Sequence, residues 1–127
     1  MLESAMPLLH VSNAQAAVEF YTRLGFRIEY AHGPFVSPTS PHADPCYMAV
    51  SRDEVWIILS SFPGDGVSGG VVNFHLDDVD GLYDEFLAAE VPVDVPPVDQ
   101  TWGTREMYVR DPDRNCLRFI AQQTPAA

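Results

Sequence analysis

Residues 9–28 read LHVSNAQAAVEFYTRLGFRI, and residues 74–93 read FHLDDVDGLYDEFLAAEVPV. At a shift of 65 positions His10 falls on His75, Asn13 on Asp78, Ala17 on Leu82, Tyr21 on Phe86 and Phe26 on Val91. Each copy reads as a short apolar strand, an Asn or Asp cap, an amphipathic helix and a second strand. A side-chain oxygen at the cap position accepts from an N–H of the first turn that has no partner within the helix. Apolar residues at Ala14, Ala17, Val18, Tyr21 and Leu24 then recur at intervals of three and four, the spacing of one helical face. Gly25 is placed to end the first helix in a left-handed conformation. The downstream parts repeat at a shift of 60: Tyr47-Met48-Ala49-Val50 falls on Met107-Tyr108-Val109-Arg110, and Asp53 to Leu59 on Asp113 to Phe119. Two copies of this length are too few and too long for a solenoid. They predict an α+β fold of two tandem βαβββ modules, with curved mixed sheets forming a cleft and helices outside.

The 127 residues suit one domain, with module one over about 6–62, a linker at 63–70 (PGDGVSGG) and module two over about 71–121. Residues 31–45 hold four prolines and are expected to loop, as are residues 98–104. Pro92, Pro96 and Pro97 are expected to break up the chain after the second helix.

Apolar residues make up 46% of the chain, enough for a packed core. A formal charge of −11 argues against nucleic acid, whose phosphates need Lys and Arg, and against anionic membranes. It is compatible with attraction of cationic small molecules. The chain has no apolar run long enough for a signal peptide or a membrane span, so a soluble cytoplasmic protein is expected. Cys46 and Cys116 stand in strand-like runs without metal-knuckle spacing and read as small core residues. No Walker, dinucleotide or nucleophile-elbow motif is present. Glu54 and Glu106 lie near turns and are expected to be solvated.

The phrase N-x-x-x-A-V-x-F-Y-x-x-L-G-F at 13–26 and the ending W-G-x-R-E-x-x-V-R-D-P-D-x-N-x-L-R-F at 102–119 resemble the vicinal oxygen chelate superfamily. That group includes glyoxalase I, extradiol dioxygenases and bleomycin resistance proteins. The run DQTWGTREMYVRDPDRNCLRF most resembles the bleomycin-binding members. The resemblance implies an acidic homodimer that holds a drug in clefts between subunits and inactivates it by sequestration.

The superfamily's metal enzymes place His, Glu, His and Glu on four strands. The matching positions here hold Met6, Ile58, Val71 and Arg118. None is a hard ligand, and Arg118 carries a fixed positive charge. No metal, no cofactor and no catalytic residue is therefore expected.

Strand alternation puts His10 on a face with Leu8 and Met6, and His75 on a face with Asn73 and Val71. It also puts Trp56 beside Ile58. The resemblance makes Trp102 an aromatic wall, with Phe35 on the long loop able to close a stacking slot. The expected ligand-binding set is Trp102, His10, His75, Asn73, Trp56, Phe35 and Arg118. Asn73 and His75 stand where the closest drug-binding proteins carry bulky aromatics, so the ligand need not be bleomycin itself. The expected function is non-catalytic binding of a bleomycin-like or other cationic or aromatic natural product. The alternative is a metal-dependent lyase, isomerase or dioxygenase with a rearranged site.

Overall fold

A computed structural model describes residues 1–123. The first module runs β1 (Leu8–His10), α1 (Ala14–Arg23), β2 (Arg27–His32), β3 (Tyr47–Arg52) and β4 (Val55–Ser60). The second runs β5 (Val71–Leu76), α2 (Val79–Ala88), β6 (Val95–Asp99), β7 (Thr104–Arg110) and β8 (Cys116–Gln122). Each module folds into a four-stranded mixed sheet, in the orders β1-β4-β3-β2 and β5-β8-β7-β6. The first strand of each pairs parallel with the last, and the other pairings are antiparallel. The fold is thus α+β, with two βαβββ modules. Among the described residues, no helix is long and apolar enough to cross a membrane.

The caps act alike in both copies. Asn13 Oδ1 accepts from the Ala16 N–H at 2.8 Å, and Asp78 Oδ1 from the Gly81 N–H at 2.9 Å. The helix exits differ. Gly25 takes φ +88°, a conformation that costs glycine little, whereas its counterpart Glu90 is held at φ +58°. The Arg52 guanidinium lies against Gly25. It donates to the Leu24 carbonyl at 2.6 Å and reaches Glu85 of α2 with two bonds of 2.6 and 2.9 Å.

One continuous core joins the modules. Phe26 meets Phe74 edge-on with ring centroids 6.1 Å apart, and Phe74 stacks on Phe119 at 5.0 Å. Buried polar groups fasten the same seam. Tyr21 of α1 donates its hydroxyl to Asp111 at 2.8 Å. Burial first, and then the Asp111 charge, push that phenol well above its ordinary pKa. Asn115 is wholly buried: its Oδ1 accepts from Gly69 and Gly70, and its Nδ2 donates to the His10 carbonyl and to Asp111.

Three sequence expectations change. The repeat in β3 and β7 is offset by 59, not 60: Met48 matches Met107 and Val50 matches Val109, all four buried in the core. Between matched positions, Arg52 and Val55 in one copy and Asp111 and Asn115 in the other, the turn before β8 is one residue longer than the turn before β4, and only beyond it does the offset become 60. A one-residue slip moves every side chain to the other face, so the shift-60 reading of that strand was inverted. Second, Pro96 and Pro97 lie within β6 rather than ending it. β6 is an edge strand with a register shift between Val95 and Val98, where missing N–H groups are tolerated. Third, β2 extends to His32, into the stretch expected to loop.

Candidate functional site

Each sheet turns one face to the core; the other face is open only in part, most clearly along β5. On β5, Val72 and Phe74 turn inward while Val71, Asn73 and His75 are exposed. The cross-strand register extends that open face. Asn73 pairs with Arg118, and Arg118 with Tyr108; in the next row His75 pairs with Ile120, and Ile120 with Glu106. Three of the expected residues, Asn73, His75 and Arg118, therefore share one surface of the second sheet. Trp102 stands at its margin on the turn between β6 and β7.

Glu106 organises this surface, and it is buried rather than solvated, with 4% of its area exposed. Its Oε2 accepts from Trp102 Nε1 at 3.0 Å and from Thr104 Oγ1 at 2.6 Å, and its Oε1 accepts from the Tyr108 hydroxyl at 2.8 Å. Burial alone would raise its pKa. The bonds from Thr104, Tyr108 and Trp102, with the charge of Arg118, outweigh burial and hold the carboxyl below its ordinary range. The same bond raises the Tyr108 phenol, with burial adding to it. Trp102 is thus 66% exposed yet fixed by its indole N–H. The Arg118 guanidinium lies over the Tyr108 ring, 5.2 Å from its centroid. Sequence reasoning missed Glu106, Thr104 and Tyr108. Their alternation at 104, 106 and 108 was the available signal, hidden by the inverted register and by the assumption that an acid near a turn is hydrated.

The remaining expected residues belong to the first module. His10 ends β1, and its Nδ1 lies 3.1 Å from the carbonyl of Asp65 in the segment joining the modules. Ser60 donates to the Asp65 carboxylate at 2.7 Å, so that segment is tied over this end of the sheet. Trp56 is partly exposed on β4, two residues from Ile58. Phe35 is exposed on the loop that follows β2, at the edge opposite β1. A cleft of about 260 Å³ opens between the modules, lined by Phe26, Phe74, Phe119, Leu82 and acidic groups; His75 is the one expected residue on its wall.

The four positions that hold metal ligands in the metal enzymes carry no donor set here. Ile58 is a buried hydrocarbon on β4 and Arg118 a cation on β8, while Met6 and Val71 are exposed apolar residues. Among the described residues no three His, Cys, Asp or Glu side chains are grouped to hold a metal ion. The chemistry of these positions does not suit a metal.

The model of the glyoxalase/bleomycin resistance protein/dioxygenase superfamily matches residues 5–119. The chain belongs to that superfamily. It is 26% identical over 117 residues to the uncharacterized protein YraH of Bacillus subtilis (strain 168), which covers 87% of this chain and 91% of that one. Among solved structures it resembles a bleomycin-binding protein in complex with bleomycin, with a TM-score of 0.74 at 22% identity over 96% of this chain and 100% of the other. The bleomycin resistance determinant encoded on transposon Tn5 gives 0.74 and 22% over 97% and 100%. TioX from Micromonospora sp. ML1 gives 0.68 and 18% over 98% and 100%. At these identities the likeness is one of fold, and this superfamily fold carries several chemistries as well as simple binding.

Proposed function

We propose that this protein binds a planar aromatic natural product on the open face of its second sheet and acts by sequestration, as an antibiotic-binding protein without chemistry of its own. The observation that carries this reading is Trp102. A large flat ring held by its N–H to a buried carboxylate, with two thirds of its surface left open, is preorganised for stacking and loses little freedom when a ligand arrives. Asn73, His75 and Arg118 add polar contacts on the same surface. The lack of ligand chemistry at Met6, Ile58, Val71 and Arg118 supports binding over metal catalysis. The fold shared with a bleomycin-binding protein supports the drug class, and the overall charge of −11 draws cationic compounds from a distance.

The proposed assembly is a homodimer of single-domain chains, with the linker at 63–70 between the modules and the cleft closed by a second copy. His10, Trp56 and Phe35 of one chain then face the Trp102 surface of the other. Met6, Leu8, Val71 and Val98 are exposed apolar residues, and a second copy would cover such a surface. Light scattering at micromolar concentration is expected to give twice the chain mass; a single-chain mass would contradict the assembly. Native mass spectrometry after incubation with a panel of aromatic antibiotics, bleomycin included, is expected to reveal a one-to-one adduct. A panel without any adduct, or protein that retains about one equivalent of zinc, nickel, iron or manganese per chain after dialysis, would overturn the binding reading.

A further inference from the structure

We propose that Arg118 is an anion-recognition residue, and that the ligand presents a carboxylate or comparable oxyanion to it; this rests on the binding face argued above and names the chemistry of one end of the ligand. The chain has seven basic residues, all arginine, against 18 acidic ones. Arg27, Arg52, Arg105 and Arg110 each reach a carboxylate. Arg23 and Arg114 are exposed to water. Arg118 alone is partly buried in mid-strand and, among the described residues, makes no ion pair. Its Nε is fully buried and has no hydrogen-bond partner.

The acid that should neutralise it is close by and already engaged. Glu106 is near enough for the Arg118 charge to help hold its pKa down, yet its two oxygens are taken by Trp102, Thr104 and Tyr108. The guanidinium instead lies on the Tyr108 ring, which orients its plane without satisfying its N–H groups. A buried N–H without an acceptor costs free energy, and a guanidinium meets an oxyanion with two parallel bonds. Asn73, the cross-strand partner of Arg118, adds a neutral amide at the adjacent position. Val71 and Ile120 provide apolar surroundings that strengthen such a pair. The first sheet lacks this feature, because Ile58 holds the corresponding place. A ligand that stacks on Trp102 and turns an oxyanion toward the accessible part of the Arg118 guanidinium pairs the charge that Glu106 leaves unmatched.

The test uses three probes of one shape: 2-naphthoate, 2-naphthamide and 2-naphthylmethylammonium. Calorimetry on the wild type is expected to show naphthoate bound at least about tenfold more tightly than the other two, the range of a charge-assisted hydrogen bond. Naphthoate should also shift the arginine Nε–H signal in ¹⁵N-edited spectra that is missing from Arg118→Gln. That variant should lose the preference for the carboxylate and still bind naphthamide. If it does not fold, Arg118→Lys is expected to lose at least about fivefold in naphthoate affinity with naphthamide unchanged, because Lys cannot offer the paired geometry. Equal affinities, tightest binding of the ammonium, absence of naphthoate binding, or a preference that survives in Arg118→Gln would each overturn the proposal. An antibiotic adduct unaffected by Arg118→Gln would refute it and leave the sequestration reading standing. A naphthoate preference that depends on Arg118, with no antibiotic adduct, would do the reverse.

Discussion

The two sheets are copies of one frame, and they differ almost wholly on one face. Toward the core, Leu9 matches Phe74, Met48 matches Met107, Val50 matches Val109, Ile57 matches Leu117 and Leu59 matches Phe119, and all ten are buried and apolar. On the open face, Leu8 matches Asn73, Tyr47 matches Glu106, Ala49 matches Tyr108 and Ile58 matches Arg118. Burial constrains the first set, because each apolar side chain removed from water stabilises the fold by roughly 1.5–3 kcal/mol. The second set is covered unevenly: Ala49, Ile58 and Glu106 are buried, while Leu8, Tyr47, Asn73, Tyr108 and Arg118 keep contact with water. There the first sheet holds three aliphatic residues and one phenol, and the second an acid, a phenol, an amide and a guanidinium. The module with the polar open face is the one that carries the candidate site.

The largest difference should appear where the copies meet. Val55 begins β4, and its counterpart Asn115 immediately precedes β8. Asn115 is fully buried with four hydrogen bonds, and Val55 is 39% exposed. Asn115→Ala strands the Gly69 and Gly70 N–H groups and the His10 carbonyl, and is expected to cost about 3 kcal/mol or more. Val55→Ala should cost under about 1 kcal/mol. Urea unfolding of both variants checks this, and equal losses would mean that the seam is not fastened there.

Glu106 against Tyr47 is the next contrast. Glu106→Gln keeps the side-chain shape but turns an NH2 group toward a donor, an expected loss of about 1–3 kcal/mol. The pH dependence has a definite sign. The folded carboxyl lies below its unfolded value of about 4.3, so its contribution is complete above that pH and is lost as pH falls through the lower folded value. The gap in stability between wild type and Glu106→Gln should therefore narrow on acidification below about pH 4. A gap that stays constant or widens there would remove Glu106 as the charged centre of the open face.

Trp102→Ala should weaken binding of any ligand found in the antibiotic panel by about 5- to 150-fold, the range of a buried stacking partner. It also takes one of three donors from Glu106, so a modest fall in melting temperature should accompany it. Calorimetry and thermal melts separate the two effects. Unchanged affinity would detach the aromatic wall from the site.

The smallest expected effect compares the helix exits. Glu90→Gly relieves a left-handed residue and should stabilise by about 0.5–1 kcal/mol, after the greater freedom of glycine in the unfolded chain is counted. Gly25→Ala should destabilise instead, because the new Cβ would come within 2.7 Å of Arg52 Nη1. Thermal melts of the pair give the signs directly, and like signs would contradict the comparison.

The sequence by itself determined the frame: two copies, their caps, their helices and the alternating strands. Those signals are local, set by side-chain spacing within one element, and the repeat made each copy a check on the other. It also displayed the residues at the four metal-ligand positions, because residue type alone says whether a donor exists. Tertiary structure decided the rest. Whether β7 turns Met107 or Tyr108 inward depends on a turn one residue longer than its counterpart, which no strand reports about itself. Whether the prolines of β6 end a strand depends on its place at the sheet edge. Glu106 looked like a hydrated acid until Trp102, Thr104 and Tyr108 closed over it, and Arg118, expected from sequence to bind ligand, showed its lack of an ion pair only once its neighbours were in place. Partners separated in sequence set burial and hydrogen bonding, and the candidate site is made of those two properties.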